Sequence, residues 1–318
     1  MSTRMTILYP PTIDWHFMKQ RPQQILTQFA KHGWRVLYAN KTQIKGRPPT
    51  IVKPNLEIHH DWEALLRRKP RVDVLWISCA VHKDLDIQAA ITVFDSLDDF
   101  DTWDPYEPEM LARSDIVFTS SEALYRKQSA RHNNVVMLRN ACDPEFIRPQ
   151  KKAFQPLEFR NVKRPVLGFV GAIGSWVDTN LLGKLAEHYT VIVVGPNFGK
   201  TAPPKTINFG MKDYHQLPRY YSVIDIGIVP FLLNKVSIAA NPIKMYEYLA
   251  AGKPVVATDI PECRLYPEAV FPSKTFFEFC ANIKKAQEVS PETARKIALE
   301  NTWEIRFKTI QREIEKLL

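Results

Sequence analysis

The chain alternates short apolar runs with stretches of helical character, and it does so twice. In the first half Met5-Thr-Ile-Leu-Tyr9, Arg35-Val-Leu-Tyr-Ala39, Leu56-Glu-Ile-His59, Val72 to Ser78, Ile91-Thr-Val-Phe94, Ile116-Val-Phe-Thr119 and Val135-Val-Met-Leu138 read as strands. Pro22 to His32 between them has amphipathic helical spacing and is closed by Gly33. Apolar residues in continuous runs, rather than at every second position, suit strands buried on both faces. That is the signature of a parallel sheet covered by helices. The pattern lapses from Asn140 to Pro165, a segment that includes the basic, unpatterned Lys151-Lys152 to Lys163-Arg164. It restarts with Val166 to Gly171, Val191 to Gly195, Ile207 to Gly210, Ile226 to Val229 and Val255 to Ala257, with helices such as Tyr214 to Ser222 between. The predicted class is α/β, with two doubly wound domains that present ligands at the carboxyl ends of their strands. A length of 318 residues leaves room for two cores. The expected boundaries are 1–145 for the first domain, 146–164 for a linker and 165–301 for the second. An amphipathic helix at 302–318 follows.

Composition narrows the function classes. Hydrophobic residues make up 45% and charged residues 24%, an ordinary globular balance. No apolar run approaches a membrane span, and Met1-Ser-Thr-Arg-Met-Thr-Ile lacks a secretory pattern, so a cytoplasmic location is expected. Cys79, Cys142, Cys263 and Cys280 are scattered without metal spacing, as expected of reduced thiols. The net charge of +9 suits phosphorylated substrates or the anionic inner face of a membrane. Nucleic acid ranks last as a partner, because no recognition motif accompanies the charge.

The most informative stretch is Asn241-Pro-Ile-Lys-Met-Tyr-Glu-Tyr-Leu-Ala-Ala-Gly-Lys-Pro-Val-Val-Ala-Thr-Asp259. Pro242 sits where a helix can begin without wasting an amide donor. Met245, Leu249, Ala250 and Ala251 form an apolar face, Gly252 ends the helix, and Val255-Val-Ala257 is a buried strand. Lys244 and Glu247, three apart, share one face near the helix start. A cation and a carboxylate there could grip a diphosphate and a ribose diol, or could be only a surface ion pair.

These residues resemble the nucleotide-sugar site of GT-B glycosyltransferases, especially the bacterial exopolysaccharide and teichuronic-acid type. Those enzymes carry Pro-x-Lys-x-x-Glu-Tyr-hydrophobic-Ala-x-Gly-x-Pro-Val-Val. Two further segments are similar: Asn140-Ala-Cys-Asp-Pro-Glu-Phe-Ile-Arg-Pro149, with Ala141 where glycine is usual, and the Trp303-Glu-Ile-Arg306 that opens the last helix. The resemblance implies the GT-B fold: two Rossmann-like domains with parallel sheets facing across a cleft, and the last helix packed back on the first domain. It also implies a donor site built from Glu247, Lys244, Met245, Asn241 and the glycine turns at Gly171 and Gly195.

Around that site the sequence departs from the large retaining group. Gly168-Phe-Val-Gly-Ala-Ile-Gly174 does not have dinucleotide-fingerprint spacing, so it argues against an oxidoreductase. Ala172 stands where those relatives carry an arginine just after the glycine, Trp176-Val177 where they carry a lysine a few residues later, and Ala239 where they carry a glutamate. Lys235 and Lys244 are the cations expected to compensate. Asp178 reads equally as a helix cap or a ligand.

On the first domain, Asp14-Trp-His-Phe17 and Arg21 follow the first strand. Trp15 and Arg21 are candidates for binding an acceptor, and His16 is a candidate catalyst. Asp95, Asp98 and Asp99 follow another strand. Asp98 and Asp99 can cap the next helix, while Asp95 falls where the resemblance implies a catalytic group, with Asp98 positioning it.

The expected function is therefore transfer of a sugar from a nucleoside diphosphate donor, UDP foremost, to a glycan or lipid-linked acceptor in cell-surface polysaccharide synthesis. No cofactor or metal is expected, and peripheral contact with an anionic membrane is. A GT-B nucleotide-sugar epimerase and a catalytically silent partner subunit are the alternatives.

Overall fold

The computed structural model describes residues 4–143 and 162–318. Most of the connection expected at 146–164 lies outside them. The chain divides into two compact units. One comprises Met1–Arg139 with Trp303–Leu318, the other Asn140–Thr302.

The first unit runs β1 (Thr6–Tyr9), α1 (Arg21–Lys31), β2 (Arg35–Ala39), β3 (Thr50–Lys53), β4 (Leu56–His59), α2 (Trp62–Arg67), β5 (Val72–Ile77), β6 (Ala89–Ser96), α3 (Glu107–Ala112), β7 (Ile116–Thr119), α4 (Glu122–Ser129) and β8 (Val135–Met137). Its eight strands lie in the order β3-β4-β2-β1-β5-β6-β7-β8. Every neighbouring pair is parallel except β3 with β4, which is antiparallel. The continuous apolar runs correspond to the strands buried along their length, such as β1 and β5. Strand β3 escaped sequence reading. It is a four-residue edge strand after Pro48-Pro49 with three exposed positions, so it carries no buried run.

The second unit runs β9 (Val166–Val170), α5 (Thr179–His188), β10 (Thr190–Val194), β11 (Ile207–Asn208), α6 (Leu217–Val223), β12 (Ile226–Val229), α7 (Lys235–Ala239), α8 (Ile243–Ala250), β13 (Val255–Thr258), β14 (Val270–Ser273), α9 (Phe276–Ala286) and α10 (Pro291–Leu299). Its sheet is wholly parallel in the order β11-β10-β9-β12-β13-β14. That is the order of a dinucleotide-type doubly wound sheet. Its switch point, where ligands bind, lies between β9 and β12.

The last helix, α11 (Trp303–Glu315), belongs to the first unit and packs on α1. Phe307 meets the Phe29 ring edge-on at 5.0 Å and stacks on His32 at 4.3 Å. Arg306 Nε donates to the Arg139 carbonyl at 3.0 Å. With the sheet on one side and α11 on another, α1 is buried from Arg21 to Ala30. Its first turn therefore carries a charged side chain into the interior.

Candidate functional site

Helix α8 follows β12 by way of the short α7, on the carboxyl side of the second unit's sheet. Its end is set by Gly252 at φ +74°, where the Lys253 amide donates to the Tyr248 carbonyl at 2.9 Å. Along this helix Glu247 is completely buried. Its Oε2 accepts from the Tyr221 hydroxyl on α6 at 2.6 Å and from Lys244 Nζ at 2.8 Å. Its other oxygen, Oε1, is buried with no hydrogen-bond partner among the described residues. A buried carboxylate is costly unless paired and hydrogen-bonded, and here only one of its two oxygens is. Lys244 is partly exposed, so the ion pair has a wet end and a dry end. Beside Glu247, burial and the neighbouring carboxylate push the Tyr221 hydroxyl far above its ordinary pKa, and it stays a donor.

Glycines shape the turns next to this helix. A Cβ on Gly195 would lie 2.0 Å from the Gly171 carbonyl oxygen, so the turns after β9 and β10 approach backbone to backbone. The Gly195 amide donates to Gly210 and the Gly171 amide to Val194, each at 2.9 Å. Tyr248 ties α8 to the first of these strands. Its hydroxyl donates to the Gly168 carbonyl at 2.7 Å and accepts from the Val170 amide at 2.8 Å. Gly227 on β12 makes room for that ring, since a Cβ there would lie 2.3 Å from it.

The other expected donor residues have varied surroundings. Met245 is a wholly buried core side chain. Asn241 accepts from the Asn140 amide at 2.8 Å and donates to Glu262 Oε2 at 2.7 Å and to the Tyr246 hydroxyl at 3.2 Å. Its amide thus joins three segments of the second unit. Lys235 opens α7 and is exposed. Asp178 caps α5, accepting from the Leu181 amide at 2.9 Å. Tyr221 and Glu262 were not singled out in the sequence, and Tyr248 and Asn140 appeared there only within the quoted segments, with no role assigned. They lie up to about a hundred residues from their partners in the chain, and no local spacing signals them.

In the first unit Arg21 and Asp95, expected to touch acceptor and to act as base, face each other. Both are buried, 2% and 0% exposed. Arg21 Nε lies 3.1 and 3.0 Å from the two Asp95 oxygens, and its Nη2 lies 2.7 Å from Oδ1. Trp76 Nε1 donates to Oδ2 at 3.3 Å, and Arg21 Nη1 to the Leu138 carbonyl at 2.6 Å. Both oxygens of Asp95 are thus engaged by α1 and β5, which makes the pair an internal brace of the unit. Asp98 differs. It is partly exposed and has no hydrogen-bond partner among the described residues. Desolvation raises its carboxyl to about 6, with the Arg21 charge opposing.

Neither Asp98 nor Asp99 caps a helix, contrary to the expectation. The turn that follows, Asp101–Trp103, has Phe100 at its cap and no side-chain bond there. Asp99 instead pairs with Lys127 Nζ at 2.6 Å, alongside Asp104 at 3.0 Å and Glu107 at 2.8 Å. Those three carboxylates are close enough together to hold a cation, and the Lys127 ammonium sits among them. His16 is exposed. Trp15 rests edge-on against Tyr38 at 5.1 Å, with its amide held by Asn40 Oδ1 at 2.9 Å.

No family model matches the chain. Over 231 residues it is 28% identical to TuaH of Bacillus subtilis (strain 168), a protein named for a role as a glycosyltransferase in teichuronic acid biosynthesis. The match covers 65% of this chain and 58% of that relative's length. Among solved structures, sucrose-phosphate synthase from Thermosynechococcus elongatus superposes with a TM-score of 0.73 at 13% identity, covering 99% of each chain. Anabaena HepE, solved in complex with UDP and glucose, superposes with a TM-score of 0.70 at 13% identity, covering 98% of this chain and all of that one. The chain has the GT-B fold, and the relatives it resembles are glycosyltransferases.

Proposed function

We propose that the chain is a glycosyltransferase that takes a nucleoside diphosphate sugar, UDP-sugar foremost, and delivers the sugar to a glycan or lipid-linked acceptor in cell-surface polysaccharide synthesis. The observation that carries the reading is Glu247: a buried carboxylate on α8 with one oxygen held by Tyr221 and Lys244 and the other unpartnered among the described residues. A ribose diol supplies two donors to such a group, and a diphosphate supplies the anion that Lys244 would turn to meet. In this reading the same diphosphate lies against the close-packed glycine turns and needs no metal; the Gly171 and Gly195 amides are themselves engaged by the Val194 and Gly210 carbonyls. The UDP complex of HepE and the teichuronic-acid role in TuaH's name support the donor and acceptor classes.

In place of the braced Asp95, Asp98 is the group we read as the base or charge stabiliser. A carboxyl raised to about 6 is ionised at neutral pH yet basic enough to accept a proton. As the acceptor oxygen bonds to the anomeric carbon, its proton passes to Asp98. The carbon–oxygen bond to the diphosphate breaks, and UDP leaves with the electron pair.

A thermal-shift panel of nucleotide sugars tests the donor class, because a ligand held only by the native state raises the melting temperature with concentration. UDP-sugars should do so for the native chain. Glu247→Gln should weaken UDP affinity by one to two decades, for a lost charged acceptor worth about 1.5–3 kcal/mol. Equal UDP affinity in the two proteins would remove Glu247 from the site.

A further inference from the structure

The segment leaving β2 at Asn40 and returning through β3 carries Lys41, Lys45, Arg47 and Lys53, and no acidic residue occurs from Lys41 to Asn55. All four cations are exposed, and none forms an ion pair among the described residues. This contrasts with their surroundings: Arg35 is paired with Glu57 at 2.8 Å, and Arg71 with Asp73 at 3.1 Å. The carboxylates nearest the segment are already occupied. Asp14 accepts from the Thr42 amide at 2.7 Å, and Asp61 from the Gly46 amide at 2.7 Å. Two branched apolar side chains stand among the cations, Ile44 at 42% exposed and Ile51 at 75% exposed. Ile51 lies on the edge strand β3, and Ile44 is fixed by its amide to the His60 carbonyl at 2.7 Å. The segment is therefore an anchored surface.

We infer that this surface docks the first unit on an anionic lipid bilayer. Exposed cations are attracted to acidic headgroups within a Debye length, and the apolar side chains between them can enter the headgroup–acyl boundary. An acidic glycan would satisfy the cations but gives Ile44 and Ile51 nothing to bury against, so the lipid surface fits both features. No helix of the described residues is long and apolar enough to cross a membrane. The inference does not depend on sugar transfer.

Co-sedimentation with vesicles tests it. The full chain should bind vesicles containing phosphatidylglycerol and not vesicles of phosphatidylcholine alone, and binding should fall as salt rises. Lys41→Gln, Lys45→Gln, Arg47→Gln and Lys53→Gln together should lower partitioning by about fivefold per charge removed. Ile44→Ser with Ile51→Ser should weaken binding most at high salt, where the apolar contact remains. Neutralising Lys184, Lys284, Lys285 and Lys296 on the second unit removes the same four charges, controls for net charge and should leave most binding intact. Melting temperatures within about a degree of the native chain show that the variants are folded. The inference is overturned by failure of the native chain to bind anionic vesicles, or by an equal loss in the control. It is also overturned if acidic polysaccharide binds and vesicles do not, or if Ile51→Ser abolishes a self-associated form and leaves vesicle binding unchanged.

Discussion

Replacing Asp98 with asparagine separates two properties that meet in one side chain. The carboxyl stands at about 6 against an ordinary 3.8, through desolvation. Its folded value lies above the unfolded one, so between those values the native state binds more protons than the unfolded state. Stability therefore falls as pH rises from about 4 to about 6 and stays lowered above that. A gap of about two pH units is worth about 3 kcal/mol, and partial exposure reduces that to about 1–3 kcal/mol. Asp98→Asn keeps the shape and removes the charge. It should leave stability unchanged at pH 4 and raise it by about 1–3 kcal/mol at pH 8, a gain of a few degrees in melting temperature. Over the same range turnover should show the opposite sign. The native enzyme gains activity as pH rises through about 6 and its base ionises, and the variant loses roughly two to four decades at every pH. Paired melting curves at pH 4, 6 and 8, with UDP release from a verified donor and acceptor, read both effects. If the stability difference does not change with pH, the carboxyl is not desolvated as argued. If turnover survives, Asp98 is not the base and exposed His16 is the next group to test.

Two further outcomes follow from the two ion pairs. Lys244→Ala should weaken UDP binding far more than uridine binding, measured by calorimetry, because under the proposed function the ammonium meets the diphosphate. Equal losses would indicate damage to α8 and full activity would point to Lys235. Arg21→Leu strands the wholly buried Asp95 carboxylate and should cost about 3–5 kcal/mol in denaturant unfolding, whereas Asp95→Asn, which keeps the acceptor oxygen for Trp76, should cost less; near-equal, sub-kilocalorie losses would show that the pair is not the brace described.

Much of the architecture was legible because it depends on short-range pattern. Most buried strands announced themselves as apolar runs, although β14, which contains Pro272, did not, and the 241–259 stretch displayed its helix start, its glycine stop and its following strand in order. Strand β3 was hidden because an exposed edge has no apolar run to detect. The site was legible only in its local part. Lys244 and Glu247 are three apart on one helix, so their pairing can be read from spacing. The Tyr221 hydroxyl that completes the carboxylate's environment comes from another helix 26 residues away. The acids after β6 could not be ranked from sequence, since Asp95, Asp98 and Asp99 are alike in kind. What separates them is which cation reaches each: Arg21 from 74 residues away, none of those described, and Lys127 from 28 residues away.

The Tyr248 hydroxyl has a mechanical consequence. By donating to Gly168 and accepting from Val170, it fastens α8 to the two ends of a three-residue stretch of β9. A single bond would act as a pivot; two make a clamp that resists both sliding and rotation. Glu247, the residue before the clamp, and the turn that begins just after Val170 therefore belong to one stiff body. The spacing between carboxylate and turn is then set in advance, and under the proposed function a donor need not spend its own binding energy on arranging them.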